Sequence, residues 1–309
     1  MLSVEPNYIL HIAATPNDPY VPIQWAFRAP GSGAGIDATG AWNVSTGSRR
    51  FVVGLIDTGV DYTHPDLRQN IWSAPTPFSV RIGGATVSCP AGSHGFNAIT
   101  NTCDPADIHG HGTRMAGVIG AVGNNGIGVS GVNWAASIMP LKFMDETGTG
   151  LTSDAIKAME FAIQARSAFG GAADVRVLSN SWGGTGYSRA LEDEIVRAGN
   201  YNMLVVASAG NDGLDTDIHP LYPASLELPN LLSVAATDQQ DRLEAYSNYG
   251  TLTVDMAAPG HDIASTHTGG GYSTGNGTSP AAAATAGSAA LILSHRHGRT
   301  PRVRAPPVR

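Results

Sequence analysis

The chain has 309 residues, of which 42% are hydrophobic and 14% charged, and its formal net charge is −7 at pH 7. That is enough apolar material for one large α/β core or two smaller ones, and it excludes an intrinsically disordered chain. The acidic balance argues against nucleic acid as the main partner, and no run of about 18 apolar residues exists to span a membrane. The charge is uneven, because His295 to Arg309 holds five Arg and no acid. The N-terminus lacks the basic-then-apolar pattern of a signal peptide, so export is not directly legible.

In chain order, FVVGLI (51–56) reads as a buried strand that ends on Asp57. A carboxylate at the end of a buried strand is held rigidly and partly desolvated, as an acid orienting an imidazole must be. Taken alone, LIDTGVDYTHPDL (55–67) is ambiguous, and Asp57 there also suits a helix or turn cap. Asp-Thr-Gly also marks pepsin-like aspartic proteases, which use two such motifs on an all-β frame. The only second candidate here is Glu146-Thr147-Gly148.

Cys89 and Cys103, the only cysteines, lie 14 positions apart in a polar loop rich in Gly, Pro and Asn. The preferred reading is a disulfide that staples a surface loop, with two free thiols as the alternative. A ring of this size is worth about 3 kcal/mol on chain entropy. Two Cys without partner spacing do not make a zinc site. Next, GHGTRMAGVIGAVG (110–123) sets His111 before a small-residue helix, where Gly112 and Ala116 permit close packing. A lone His is more often structural, and His109 stands nearby.

ASIMPLKF (136–143), VRVLSNS (175–181), MLVVAS (203–208) and LLSVAA (231–236) read as further buried strands. SDAIKAMEFAIQA (153–165) and SRALEDEIVRAG (188–199) have helical spacing, with Ser153 and Ser188 as expected N-caps. Strand–helix alternation predicts an α/β three-layer sandwich: a mostly parallel central sheet with helices on both faces. Ligands collect beyond the carboxyl ends of such strands, which is where Asp57, Ser181, Trp182 and Asn211 fall. Finally, GNGTSPAAAATAG (275–287) opens an Ala-rich helix with Ser279 at its positive end. Pro280 suits a first turn, and an ordinary N-cap serine is the plain alternative.

Together the three pieces resemble the subtilase family of serine proteases. Its Asp-Thr-Gly, His-Gly-Thr and Gly-Thr-Ser motifs match at Asp57, His111 and Ser279, in the order known for subtilisin. Matching segments run from about Asn17 to Leu293. The resemblance implies a subtilisin-like fold and a secreted serine endopeptidase that acts as a monomer on polypeptides. In it, Asp57, His111 and Ser279 form the triad. VVASAGNDG (205–213) resembles the segment whose Asn supplies an oxyanion donor, here Asn211, with the Ser279 N–H as the second. SNSWGG (179–184) resembles the strand lining the primary specificity pocket, with Ser181, Trp182 and Gly183 facing substrate. DETGTGL (145–151) resembles the strand that pairs with the substrate backbone through Gly148, Thr149 and Gly150. Specificity is expected to be broad and to favour apolar or aromatic residues before the cut, with Leu221 narrowing the pocket floor.

AVGNNGIGV (121–129) resembles the family's calcium loop. The resemblance implies a structural Ca2+ held by carbonyls of Gly123, Ile127 and Val129, by the Asn125 side chain, and by Asp66 and Asp18. Asp104 and Asp107 are a further candidate pair for calcium. Four departures stand out. Arg114 replaces the family's second His, as in kexin-like members, and Trp182-Gly183 is also kexin-like, although no acidic cluster follows. Ala283 stands where most members have Pro. Only 30 residues follow Ser279, where the family adds another helix. VEPNYIL (4–10) looks like the end of a propeptide that otherwise serves as folding aid and inhibitor. The domain reading is therefore a propeptide remnant at 1–14, a peptidase domain at 15–294 and a basic, disordered tail at 295–309. Such a chain is expected to fold poorly alone. A subtilase-fold protein that binds peptides without efficient cleavage is the alternative from another functional class.

Overall fold

The computed structural model describes residues 14–29 and 34–295. The expected propeptide remnant and basic tail lie outside the described residues, apart from Ala14 and His295. In chain order the helices are α1 (Ala38–Ala41), α2 (His111–Gly120), α3 (Thr152–Phe169), α4 (Arg189–Asn200) and α5 (Thr278–His295). The strands are β1 (Gly47–Asp57), β2 (Phe78–Ile82), β3 (Ala85–Cys89), β4 (Phe96–Asn97), β5 (Ala135–Lys142), β6 (Asp174–Asn180), β7 (Leu204–Ser208), β8 (Leu231–Thr237), β9 (Met256–Pro259), β10 (Ile263–His267) and β11 (Gly271–Gly275).

Side-chain alternation along β1 builds two cores. Val53 and Leu55 join Val177, Val206 and Val234 beneath α2 and α5. Val52 and Ile56 face the other way, with Val175, Leu178 and Val205, beneath α3 and α4. Burial on both faces explains why these strands read as unbroken apolar runs. Seven strands pair in parallel in the order β4-β5-β1-β6-β7-β8-β9, so the expected three-layer fold is correct. The chain leaves β1 toward β5 and returns to its other side at β6. A crevice therefore opens at the carboxyl end of β1. The Ala run of α5 is almost wholly buried, and its small side chains let the helix lie close against the sheet.

One of the two expected caps holds and the other does not. Ser188 caps α4 through its Oγ, which accepts the Leu191 N–H at 3.3 Å. Ser153 is not a cap, because α3 begins a residue earlier and has Leu151 at its N-cap position. The hairpin β2–β3 went unread, although Gly83-Gly84 at its turn was a usable signal: both have positive φ, which a two-residue hairpin turn demands. Cys89 ends β3 and is disulfide-bonded to Cys103, as expected.

Candidate active site

Asp57 is the last residue of β1 and is fully buried. His111 is the first residue of α2 and is half-buried. Its Nδ1 lies 2.7 Å from Asp57 Oδ1, which also accepts the Thr58 N–H at 2.7 Å. The approach depends on Gly112, where a β-carbon would collide with the Gly59 carbonyl. Asp57 Oδ2 has no partner among the described residues. Burial pulls the His111 imidazole down, but the charge and hydrogen bond of Asp57 outweigh it and hold the ring above its ordinary pKa.

A buried network ties the two segments together. Asp107 Oδ1 accepts from Thr58 Oγ1 (2.9 Å), His109 N (3.0 Å) and Gly110 N (2.9 Å). Its Oδ2 accepts from Thr113 N (3.0 Å) and Thr113 Oγ1 (2.6 Å). Thr58 Oγ1 in turn accepts the Gly112 N–H at 2.9 Å. Lys142 Nζ donates to the carbonyls of Thr58 (2.6 Å) and Met144 (2.8 Å). Its burial pushes the ammonium below its ordinary pKa against the opposing pull of Asp107 and Asp145. Asp104 and Asp107, the candidate second calcium pair, are both engaged by the protein's own donors. Five protein donors occupy the Asp107 carboxylate, and Asp104 instead accepts from Tyr62 Oη (3.0 Å) and Ala106 N (3.2 Å). Sequence reasoning missed Thr58 and Lys142 altogether. The position of Thr58 directly after Asp57 was the available signal.

Ser279 lies in the first turn of α5, half-buried. Its Oγ donates to the Ser181 carbonyl at 3.3 Å, and Ser181 Oγ donates back to the Ser279 carbonyl at 3.1 Å. Among the described residues no hydrogen bond joins Ser279 to His111. Such bonds are often long or misaligned before substrate arrives. Asn211 follows β7 and faces the same helix start. Its Oδ1 accepts from Thr278 N (2.8 Å) and Thr278 Oγ1 (3.0 Å). Two donors at one end of the amide fix that end as oxygen, so the exposed NH2 is left free to donate.

The cleft walls differ in detail from expectation. Residues 145–150 form a turn, closed when Asp145 Oδ1 accepts from Thr147 N (2.9 Å) and Thr149 N (3.1 Å). A single bridge joins Met144 to Gly150, and Gly148 N–H donates to the Asp145 carbonyl at 3.2 Å. Gly148 and Thr149 thus spend their N–H groups internally. Trp182 turns its indole onto Phe143, with ring centroids 4.8 Å apart, and Gly183 is exposed beside it.

Residues 48–305 match the model of the subtilase family, Peptidase S8. The chain belongs to the subtilase family. It is similar to a thermophilic serine proteinase of Bacillus sp. strain AK1, 38% identical over 94% of this chain and 62% of that protein. It is also similar to thermitase of Thermoactinomyces vulgaris, 35% identical over 91% of this chain and 86% of thermitase. An extracellular protease of Xanthomonas campestris is 34% identical over 94% of this chain and 52% of that protein. The chain thus spans about three fifths of the first relative and half of the last. The parallel α/β sheet and the family match remove the aspartic-protease alternative.

The subtilase loop at 121–129 gathers Asp18, Asp66 and Asn125. Asp18 accepts from the N–H groups of Asn124 (2.7 Å), Asn125 (3.0 Å) and Gly126 (3.2 Å). Asp66 accepts from Asn125 Nδ2 (2.7 Å) and Val129 N (3.0 Å). Burial, reinforced by the charge of Asp18, raises the Asp66 carboxyl despite those bonds. The carbonyls of Gly123, Ile127 and Val129 accept no hydrogen bond from the described residues. Two buried carboxylates beside three unengaged carbonyls bring together the oxygen types that Ca2+ takes, and the N–H donors now on Asp18, Asp66 and Asn125 Oδ1 would have to yield to an ion. No cluster of three or more His, Cys, Asp or Glu exists among the described residues, so carbonyls would complete any such shell.

Proposed function

We propose that this subtilase is a serine endopeptidase that cleaves polypeptides through an acyl-enzyme, with Asp57, His111 and Ser279 as its triad. The Asp57–His111 contact at 2.7 Å carries the reading, since it fixes Nδ1 as the protonated nitrogen and leaves Nε2 to act as base. His111 takes the Ser279 proton as Oγ bonds to the scissile carbonyl carbon. Asp57 stabilises the imidazolium that results. Asn211 Nδ2 and the Ser279 N–H donate to the oxyanion. His111 then protonates the leaving amine, the C–N bond breaks, and water repeats the sequence on the ester.

Ser181, Trp182 and Gly183, with Gly148, Thr149 and Gly150 opposite, form the substrate walls. Asp18, Asp66, Asn125 and the carbonyls of Gly123, Ile127 and Val129 would hold a structural Ca2+. Bound there, it would tie the segment around Asp18 to the loop after α2 and take no part in the chemistry. The enzyme works as a monomer outside the cell. The disulfide suits an oxidising compartment, and one relative is named an extracellular protease. Among the described residues no helix is long and apolar enough to cross a membrane. A propeptide that inhibits and assists folding follows from the family resemblance.

A fluorophosphonate probe tests the core of this reading. The chain should be labelled and should hydrolyse peptides, and Ser279→Ala should lose both. A Ser279→Ala protein that still cleaves peptides would remove Ser279 as nucleophile.

A further inference from the structure

Leu221 lies between two glycines that border Ser279 and Asn211. A β-carbon on Gly183 would sit 2.7 Å from Leu221 Cδ2 and 2.8 Å from its Cγ, and one on Gly210 would sit 2.6 Å from the same Cδ2. One methyl group therefore reaches both walls of the gap. Gly183 follows Ser181, which is hydrogen-bonded to Ser279, by two residues, and Gly210 directly precedes Asn211. The proposed function sets the scissile carbonyl between Ser279 Oγ and Asn211 Nδ2, and residues 179–184 resemble the strand that lines the family's primary specificity pocket. Leu221 cannot easily withdraw. Its N–H donates to Ser225 Oγ at 3.0 Å and its carbonyl accepts the Ser225 N–H at 2.8 Å. The next residue, Tyr222, pairs with Gly184 through two backbone bonds of 2.8 and 2.9 Å.

We propose that Leu221 closes the pocket for the residue before the cut, so that this enzyme prefers small side chains such as Ala or Ser. This rests on the hydrolase reading above, and it replaces the expected preference for apolar or aromatic residues. An aromatic ring needs the volume that the isobutyl group occupies, and a packed wall yields little. Differences of a methylene in such pockets change selectivity by about 10–200-fold, so Phe should lose at least tenfold to Ala.

The test uses the full chain and fluorogenic peptides that differ only in Ala, Leu or Phe before the scissile bond. The unaltered chain should show kcat/KM at least tenfold higher for Ala than for Phe. Leu221→Gly should raise the ratio of the Phe value to the Ala value tenfold or more, with Leu221→Ala in between. Equal changes for both peptides, or a preference of the unaltered chain for Phe, overturn the proposal. Cleavage sites in a denatured protein digested by the unaltered chain give an answer even where the variants do not fold. Sites after small residues support the pocket plug, and sites after aromatic residues or Leu refute it. Failure to cleave any peptide or to take up the fluorophosphonate overturns the hydrolase reading itself, a result distinct from cleavage at the wrong residue.

Discussion

Replacing Asp107 by Asn changes one atom and one charge at the centre of the network that aligns Asp57 with His111. The amide oxygen keeps the three donors now on Oδ1, but without charge assistance. The new NH2 faces Thr113, whose N–H is then unpaired while its hydroxyl can rotate to accept. An unpaired buried donor costs about 1–3 kcal/mol, and the weakened bonds bring the total to about 2–4 kcal/mol of stability. A loosened His111 segment should lower kcat/KM on the order of 10–100-fold, since misplacement by about 1 Å costs that much. The discriminating measurement is the pH profile. Asp107 is one of the charges that raise His111, so its neutralisation lowers the imidazole pKa. Activity needs neutral His111, so the acid limb of kcat/KM moves to lower pH even as the plateau falls. A plateau loss with an unmoved or alkaline-shifted limb would refute an electrostatic part for Asp107, and an unchanged plateau would refute its positioning role.

Asn211→Ala should cut kcat by about 10²–10³ and leave KM nearly unchanged, a magnitude that comes from subtilisin itself. A change mainly in KM would make Asn211 a binding residue. For the unaltered chain, activity should rise with pH through a midpoint above the ordinary imidazole value of about 6.5. Maximal turnover near pH 4 contradicts this. The same raised value means that the Asp57–His111 pair adds stability only at lower pH. That contribution is complete below about 6.5 and fades as pH rises through the folded-state value. Ca2+ should raise Tm and a chelator should lower it, because an ion bound only by the folded state stabilises it. Asp66→Asn should abolish most of that difference, and equal Tm with calcium and with chelator would dispose of the ion site.

Much of this protein is written locally in its sequence. The five apolar runs became β1, β5, β6, β7 and β8 because strands buried on both faces need no polar alternation. Asp57, His111, Ser279 and Asn211 stand at strand ends or helix starts, which local pattern also marks. What packing alone decided spans longer separations. Asp107 meets Thr58 across 49 positions, and Ser181 meets Ser279 across 98. No local period encodes such pairs: Thr58 and Ser181 follow β1 and β6, and the fold sets the loop before α2 and the start of α5 against them. The start of α3 at Thr152 defeated a capping signal at Ser153, since the chain enters that helix extended at Leu151. Leu221 shows the division most plainly. The sequence marked it as narrowing the pocket floor, and the fold placed its methyl against both Gly183 and Gly210. Residue type is a local property, whereas the space a side chain fills is set by the elements that close around it.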